Sequence, residues 1–286
     1  RMTTGAATQT LAYYSVLRGW QAHWPFSRGR GLPRIVKPAL KSFVPVWLQI
    51  EPKVRMLLAG NDLVSRVILE TCVWEEASWL AVLPHLSSGA TVVDVGAHMG
   101  YFSLKAAAVV GTSGRVIAIE AHPQMISTLR GNIQANGASV VTVEPVACSD
   151  AEGVIDLFTA SDSNTGSSSL SQSNASQWGP LGVTHQVPAR PLDSILKSIG
   201  VSRVDVLKID VEGAELRVLT GAKDTLARHH PVILIELDDS LLQPMHTSAA
   251  EITTFLRDLG YTVHGPYDES NFVFCPNPAG SQARLM

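Results

Sequence analysis

The segment TVVDVGAHMGYFSLKAA, residues 91–107, decides the fold that we expect. The run TVVDV favours a buried strand, and the residues that follow Gly100 favour a helix. Gly96 permits a tight turn after the strand because glycine has no Cβ, and Gly100 permits the helix to begin close to a ligand. A strand, a glycine turn and a helix in this order predict the first βα unit of a doubly wound sheet, where ligands bind outside the carboxyl ends of the strands.

Beyond Trp74, strand-like and helix-like segments alternate, which is typical of an α/β fold with a mostly parallel sheet. Apolar runs predict seven strands, at residues 91–95, 115–120, 141–145, 204–210, 232–237, 260–264 and 271–275. Helices are predicted at 75–86, 100–110, 123–137, 191–199, 214–227 and 248–259. The loop GPYDES is short enough to join the last two strands only as an antiparallel hairpin. The expected architecture is therefore a doubly wound, seven-stranded, Rossmann-like sheet.

Two segments are predicted to lie outside this sheet. Residues 1–70 are expected to form an N-terminal cap of a short helix, a loop and antiparallel strands, and residues 71–286 form the main domain. Within that domain, strands at 153–159 and 183–189 flank a Ser-rich loop, 160–182, which is expected to be mobile and to be either a substrate lid or a surface excursion. The aromatic residues near the N-terminus either pack on the main domain, line a substrate entrance or form a homodimer contact.

Composition narrows the class of protein. Apolar residues make up 45% of the chain, charged residues 16%, and the net charge is -3, which favours a globular protein and predicts no nucleic-acid partner. The three cysteines share no close spacing, so we expect neither a zinc cluster nor disulfides, in keeping with a reducing, cytoplasmic setting. No run approaches the roughly 18 apolar residues of a membrane span, and no export signal is recognised.

The glycine turn indicates which ligand the sheet holds. A dinucleotide site shows G-x-G-x-x-G, and here His98 occupies the place of the middle glycine. Glu120 ends the second strand 24 residues after Gly96, close to the offset of roughly 20 at which an acidic residue accepts hydrogen bonds from ribose hydroxyls. Asp94 would repel a pyrophosphate but suits the ammonium of an amino acid. A nucleoside joined to an amino acid without phosphate describes S-adenosylmethionine.

Several segments carry a family resemblance. They are WEEASWLAVLPHLSSGATVVDVGAHMGYFSL, VIAIEAHPQMISTLRGNIQANG, VACSDAEG, GSSSL, VPARPLDSIL and VDVLKIDVEGAELRVLTGA, of which KIDVEGAE is the most specific. In this order they resemble the FkbM-type family of class I S-adenosylmethionine-dependent methyltransferases. The resemblance implies a seven-stranded class I fold and methyl transfer to a hydroxyl of a sugar, polyketide or other specialised metabolite.

The same resemblance implies the roles of individual residues. The turn formed by Asp94, Gly96, Ala97, His98 and Gly100 should surround the methionine part of the cofactor. Glu120 should contact the ribose, and Ala147 and Asp150 the adenine. Ala121 and Asp210 are also expected to contact the cofactor. This chain departs from the family's pattern at two positions, since His98 stands where the family usually has Asn, and Ala121 where it usually has Pro.

Carboxylates at the end of the fourth predicted strand are the candidates for chemistry. A hydroxyl acceptor benefits from a base, and Asp210 and Glu212 lie where the methyl group should be. Lys208 shares a strand face with Asp210, so the two can pair. Asp210 is expected to be the base or, with Glu236 or Asp238, a magnesium ligand as in catechol-type methyltransferases; magnesium dependence is not favoured.

Other readings of these residues stay open. Asp210 or Glu212 could instead cap the following helix, where a carboxylate is favoured in any case. His98 and His185 are further candidates for the base, because a histidine can accept a proton near neutral pH.

Two other functions stay open beside an O-methyltransferase acting on a small specialised metabolite. One is a nicotinamide-dependent oxidoreductase, which the occupied glycine position and the terminal hairpin disfavour. The other is a non-catalytic nucleoside-binding module with the same fold, which the retention of Asp94, Glu120 and Asp210 disfavours.

Overall fold

The computed structural model describes residues 46–58, 62–160, 164–177 and 179–277. The first half of this chain forms, in order, β1 (Val46–Glu51), β2 (Val54–Leu58), α1 (Leu63–Thr71), α2 (Glu76–Val82), β3 (Thr91–Val95), α3 (Tyr101–Val110), β4 (Arg115–Ile119), α4 (Pro123–Asn136), β5 (Val141–Glu144), β6 (Ala147–Cys148) and β7 (Gly153–Ala160). The second half forms α5 (Gln172–Ser176), β8 (Leu181–Arg190), α6 (Leu192–Ser198), β9 (Val206–Ile209), α7 (Glu215–Thr220), α8 (Lys223–His229), β10 (Val232–Glu236), α9 (Asp239–Leu242), α10 (Ala249–Asp258), β11 (Tyr261–Tyr267) and β12 (Asn271–Pro276). Short 3-10 turns lie at Leu83–His85, Thr165–Ser167 and Gln243–Met245.

Seven strands form the main sheet, in the order β11-β12-β10-β9-β3-β4-β5. Parallel pairing joins β10, β9, β3, β4 and β5, whereas β12 runs antiparallel to both of its neighbours. All four residues of β9 are buried, as are most of β3 and β4, because helices cover both faces of the sheet. The predicted doubly wound α/β sheet with a terminal hairpin is confirmed, although β9 is shorter than the predicted 204–210.

The chain reverses its direction of winding at β3. From β3 it proceeds outward through β4 to β5, and it then returns to the other side of β3 to add β9 and β10. Such a switch point leaves a crevice at the carboxyl ends of the strands, because the connections on its two sides lead away in opposite directions. The carboxyl ends of β3 and β9 therefore frame the candidate site.

The single helix predicted at 214–227 is wrong, because the structure has two helices, α7 and α8, in its place. Gly221 ends α7 where a Cβ atom would collide with the backbone oxygen of Ser149. The carboxylate of Asp193, from α6, then accepts hydrogen bonds from the backbone N–H groups of Asp224 and Thr225, at 2.9 and 2.8 Å. The Asp193 carboxylate thus accepts hydrogen bonds from two free N–H groups in the first turn of α8. This allows a second helix to begin after α7 ends.

The N-terminal cap is partly as predicted. Strands β1 and β2 form the expected antiparallel hairpin, but residues 63–71 form helix α1 and not a strand. The carboxylate of Asp62 accepts a hydrogen bond from the backbone N–H of Ser65 at 2.9 Å, which caps the helix. Residues 1–40 lie outside the described residues, so the predicted N-terminal helix and the homodimer contact stay predictions.

The hairpin shares a core with the main domain. Its apolar face packs in one cluster with Met99, Tyr101 and Leu104, which belong to the glycine turn and α3. On its edge, the backbone N–H of Leu57 donates to Asn132 Oδ1 at 2.8 Å. The cap is therefore built into the wall behind the glycine turn.

The inserted segment forms a small sheet of its own, in the order β6-β8-β7. Strands β7 and β8 match the predicted pair at 153–159 and 183–189. Between them, the described residues 164–177 contain a 3-10 turn and helix α5, whereas the sequence predicted only a loop; its mobility stays a prediction. Their polar side chains include several that are buried, namely Asn164, Thr165, Ser167, Ser169 and Asn174. These side chains are hydrogen-bonded, as burial requires.

Two further expectations concern the whole chain. Within the described residues, Cys72, Cys148 and Cys275 are not joined in disulfides. Among the described residues, none of the helices has the length and apolar character needed to span a membrane.

Candidate functional site

A cavity of about 730 Å³ lies at the carboxyl ends of β3, β4, β9 and β10. The glycine turn after β3 and the residue that ends β4 form one wall. The residues after β9 and β10 form another. The Ser-rich segment 164–170, the start of α2, one side of α1 and the turn at 268–271 also line the cavity. The cavity is large enough for a nucleoside-sized ligand.

Close packing explains why glycine occupies two positions in the turn after β3. Gly96 has φ of +80°, and a Cβ atom there would collide with the backbone oxygen of Asp210, so the turn passes directly over the end of β9. Gly100 has φ of +93° and precedes α3, and its Cβ would lie 2.6 Å from a methyl carbon of Leu129. The backbone N–H groups of Gly96 and Ala97 both donate to the oxygen of Ile119, at 3.0 Å each. Both glycines are therefore required by the fold as well as by any ligand.

Glu120 is held by the backbone on both sides of its carboxylate. Oε2 accepts from the backbone N–H of His98 and Oε1 from that of His122, each at 2.7 Å. Burial raises the pKa of Glu120, while these N–H groups act in the opposite direction. The backbone of Ala121 also hydrogen-bonds to this carboxylate. A carboxylate has about four acceptor sites, so acceptor capacity remains for a ribose hydroxyl. The geometry therefore fits the role that the sequence predicts.

Asp94 lies at the bottom of the cavity with its side chain fully buried. Ser103 Oγ donates to Asp94 Oδ2 at 2.6 Å, whereas Oδ1 has no hydrogen-bond partner in the described part of the chain. Lys208 Nζ lies 3.8 Å from Oδ1, and burial raises the pKa of Asp94. A buried oxygen without a donor is costly, so this atom suits a ligand that brings a cationic donor.

Three carboxylates meet where β9 and β10 end. One oxygen from each of Asp210, Glu212 and Glu236 lies within 4.8 Å of the others. Burial is the largest cause that raises the pKa of Glu212 and of Glu236, and repulsion between neighbouring carboxylates adds to it. Hard oxygen ligands of this kind suit a magnesium ion. The sequence suggested Asp210 with Glu236 or Asp238 as magnesium ligands, and the structure adds Glu212 beside Asp210 and Glu236. Among the described residues, these three could hold a metal.

Lys208 balances part of this negative charge. Its ammonium lies 2.9 Å from Asp210 Oδ2, which is the pair predicted from the strand spacing. Burial alone would lower the pKa of Lys208, but the carboxylates of Asp210, Asp94 and Glu75 raise it above its ordinary value. A permanent cation therefore lies between the predicted base and the glycine turn. Asp238 also lines the cavity, but it is not one of the three grouped carboxylates, and its Oδ1 accepts from the backbone N–H of Ser240 and caps α9.

Glu215, which sequence reasoning missed, stabilises the turn that precedes α7. Its Oε1 accepts from the backbone N–H groups of Val211 and Gly213, both at 3.1 Å. The alternative in which Asp210 or Glu212 caps α7 is wrong, because Ala214 occupies the N-cap position of this helix. The signal was present in the sequence as a carboxylate two residues after the Glu-Gly pair, but only the folded turn at Gly213 brings both N–H groups to it.

Burial raises the pKa of Glu215 to about 7 and leaves its Oε2 without a partner among the described residues. Since the folded state binds this proton more tightly than the unfolded chain, its loss between about pH 4.5 and about pH 7 lowers the free energy of unfolding. We expect Glu215→Gln to flatten the fall in melting temperature from pH 5 to pH 8. Thermal unfolding at both pH values measures this. Glu251→Gln, at an exposed helix start, is the control, and equal slopes in both variants would contradict the assignment.

Glu75 is a second carboxylate that sequence reasoning missed. It lines the cavity just before α2 with φ of +45°. Burial raises its pKa to about 7, and the charge of Asp210 acts in the same direction. The segment containing Glu75 precedes β9 by more than a hundred residues, so only tertiary packing brings it beside Lys208 and Asp210.

The Ser-rich segment is tied down on both sides of the cavity. On one side, His98 Nε2 lies 2.9 Å from Thr165 Oγ1, which in turn donates to Asp62 Oδ1 at 2.7 Å. On the other, Ser169 Oγ and Asn174 Nδ2 both donate to the backbone oxygen of Glu212, at 2.6 and 2.9 Å. Residues 164–177, which we call the roof segment, are therefore hydrogen-bonded across the top of the site.

Two predicted site residues lie elsewhere. His185 is on β8 and is not among the described residues that line the cavity; its ring instead lies 5.8 Å from that of His122, which does line it. Asp150 is exposed and lies outside the cavity, where it accepts from Ser149 Oγ at 3.0 Å. The roles assigned to these two residues stay predictions, although neither is among the described residues that line the cavity. Ala147 does line the cavity, as predicted.

Comparison with known proteins places the chain among methyltransferase-like sequences. A family described as Methyltransferase FkbM domain matches residues 94–263. The AMB antimetabolite synthetase AmbE of Pseudomonas aeruginosa is 27% identical over 252 residues, which cover 76% of this chain and 12% of that protein. Protein-L-isoaspartate O-methyltransferase 1 of Arabidopsis thaliana is 42% identical over 55 residues, which cover 19% of this chain and 24% of that protein. The chain thus spans at most a quarter of the length of either relative.

A solved structure is similar to the chain as well. The crystal structure of methyltransferase FkbM from Methylobacillus flagellatus KT superposes with a TM-score of 0.48 at 22% identity. The match covers 74% of this chain and 52% of that one.

Proposed function

The chain belongs to the FkbM family of S-adenosylmethionine-dependent methyltransferases, and from this premise we propose that it transfers a methyl group to a hydroxyl of a small specialised metabolite or sugar. One observation carries the choice of a hydroxyl. The cavity ends in a group of carboxylates, Asp210, Glu212 and Glu236, beside the buried cation of Lys208. A hydroxyl is a poor nucleophile while protonated, so a site for it needs a nearby group that can take the proton.

The proposed cofactor contacts follow the cavity wall. Asp94, Gly96, Ala97 and the backbone of His98, all in the cavity lining, hold the methionine part, and Gly100 completes the turn. Asp94 Oδ1, which accepts no hydrogen bond from the described residues, is available to the ammonium group. The ribose lies against Glu120 and Ala121, whose carboxylate and backbone border the cavity. The adenine lies against Ala147 and Cys148. When bound, the cofactor supplies an electrophilic methyl group, so the task of the protein is to align the acceptor oxygen with that methyl.

Asp210 is the residue to which we assign the proton of the acceptor hydroxyl. Its Oδ2 pairs with Lys208 at 2.9 Å, which leaves Oδ1 to face an acceptor. Burial and, after it, repulsion between neighbouring carboxylates raise the pKa of Glu212 and of Glu236, and both side chains line the cavity, where they can hydrogen-bond to the acceptor. Asp210 therefore acts as base, while its neighbours orient the substrate.

Lys208 also affects whether the three carboxylates need a metal ion to balance their charge. Its ammonium already neutralises charge at Asp210, so we propose that methyl transfer proceeds without magnesium, although Asp210, Glu212 and Glu236 could hold one. Turnover in the presence of EDTA is expected to match turnover with added magnesium. Loss of turnover on chelation, restored by magnesium, would assign the three carboxylates to a metal instead.

Two measurements test the proposed function. Calorimetric titration with S-adenosylhomocysteine and, separately, with NAD should give micromolar binding of the first alone, whereas tight binding of NAD alone would favour an oxidoreductase. Transfer of labelled methyl from S-adenosylmethionine should then be screened against sugars, polyketides and other hydroxyl compounds, with amine analogues as the contrasting panel. Binding without transfer to any compound would favour a non-catalytic nucleoside-binding module, and transfer to amines alone would refute the hydroxyl assignment.

A further inference from the structure

A chain of hydrogen bonds joins three distant parts of the sequence beside the cavity. Asp62 precedes α1, Thr165 belongs to the roof segment, and His98 belongs to the glycine turn. Asp62 Oδ1 accepts from both the backbone N–H and the hydroxyl of Thr165, at 3.1 and 2.7 Å, and Thr165 Oγ1 lies 2.9 Å from His98 Nε2. Asp62 and Thr165 are 3% and 6% exposed, so water does not compete for these contacts.

The single hydroxyl hydrogen of Thr165 determines the direction of this chain. A carboxylate only accepts hydrogen bonds, so the Thr165 hydroxyl donates to Asp62. Only lone pairs of Thr165 Oγ1 then face His98 Nε2, and a hydrogen bond at 2.9 Å requires the hydrogen to lie on Nε2. Asp62 cannot turn away from this role, because its other oxygen accepts from the backbone N–H of Ser65.

The other nitrogen of His98 is left as an acceptor. A neutral imidazole carries one hydrogen, so placing it on Nε2 leaves Nδ1 with a lone pair. His98 lines the cavity, and its Nδ1 makes no hydrogen bond within the described ranges. The backbone N–H of the same residue donates to Glu120 Oε2 at 2.7 Å, which sets His98 next to the carboxylate assigned to the ribose.

We propose that Asp62 and Thr165 are positioning residues that hold neutral His98 with its hydrogen on Nε2, so that Nδ1 accepts a hydrogen bond from a ribose hydroxyl of the bound nucleoside. The assignment rests on the proposed function for the identity of that nucleoside. It makes the roof segment part of cofactor recognition, since the roof supplies Thr165. It also gives His98 a role that depends on two residues outside the glycine turn.

The first test reads the hydrogen position directly in the ligand-free full chain. Long-range proton–nitrogen spectra of histidine labelled with nitrogen-15, recorded at pH 8, distinguish the two neutral forms, and His98→Asn identifies the signal. We expect the pattern of an Nε2–H imidazole, followed by a shift of the Nδ1 signal when S-adenosylhomocysteine is added. A signal showing the hydrogen on Nδ1, or an equal mixture of both forms, would overturn the proposal without touching the proposed function.

The second test uses a matched pair of variants at the middle of the chain. Thr165→Val keeps the shape but removes the hydroxyl, and is expected to weaken binding of S-adenosylhomocysteine about tenfold, because His98 Nε2–H loses its buried acceptor. Thr165→Ser keeps the hydroxyl and should bind within about twofold of the unaltered chain. Thermal unfolding checks that both variants are folded.

The two kinds of failure are separable. If the unaltered chain and Thr165→Val bind S-adenosylhomocysteine equally well, the positioning role is refuted and the cofactor assignment stands. If the unaltered chain does not bind it, the cofactor assignment fails, and the ribose contact of His98 fails with it.

Discussion

Glu120→Ala is expected to weaken binding of S-adenosylhomocysteine by about 10- to 100-fold. Hydrogen bonds to a charged group contribute roughly 1.5–3 kcal/mol, and the variant removes the carboxylate assigned to two ribose hydroxyls. It also leaves the backbone N–H groups of His98 and His122 without their acceptor, which loosens the glycine turn that the ligand rests on. Calorimetric titration measures the effect on affinity.

Two further variants separate the ribose contact from a general loss of stability. Glu120→Gln keeps the side-chain volume but carries one acceptor oxygen in place of two, and should fall between the alanine variant and the unaltered chain. Glu144→Ala removes a carboxylate at the end of the neighbouring strand β5, outside the cavity lining, and should bind normally. Unchanged affinity in a folded Glu120→Ala variant would show that the ribose lies elsewhere.

Asp210→Asn is expected to lower kcat for methyl transfer to a hydroxyl acceptor by about 10²- to 10⁴-fold, the usual contribution of a positioned general base. Asparagine has the same shape but does not take up a proton at neutral pH. The affinity for S-adenosylhomocysteine should change by less than about threefold, because the contacts of Asp94 and Glu120 are retained. The split between kcat and affinity is what distinguishes a base from a residue that shapes the cofactor site.

The control lies at the opposite end of the same strand. Asp205 precedes β9 and accepts from the backbone N–H of Thr91 at 2.8 Å, so Asp205→Asn alters a carboxylate of the same segment far from the cavity. The Asp205→Asn variant should have the kcat of the unaltered chain, and only its free energy of unfolding should fall. If Asp210→Asn keeps its turnover, Glu75 becomes the leading candidate, because it lines the same cavity and burial raises its pKa to about 7.

Much of the site could be predicted from local sequence. Residues separated by two along a strand share a face, so the Lys208–Asp210 pair followed from β9 alone, and its ammonium-to-carboxylate distance is 2.9 Å. The position of Glu120 followed in the same way from the turn after β3 and the end of β4. Both predictions depend only on regular geometry within one element or one βα unit.

Side chains from separate elements could not be placed in this way. Asp150 was a candidate by resemblance and His185 by residue type, and neither is among the described residues that line the cavity. A capping role was open for Asp210 or Glu212, but Ala214 occupies the N-cap of α7. In each case, contacts between elements decided where a side chain lies.

By itself, the sequence determined the doubly wound sheet, its terminal hairpin and the glycine turn, because apolar periodicity and the absence of a Cβ act within a few neighbouring residues. Only the tertiary structure decided which side chains share the cavity. Glu75 beside Lys208, and Asp62 bonded through Thr165 to His98, are pairs that lie far apart in the chain. Their contacts arise because parallel strands bring their carboxyl ends to one edge and the insert closes over that edge, and no local pattern encodes such a meeting.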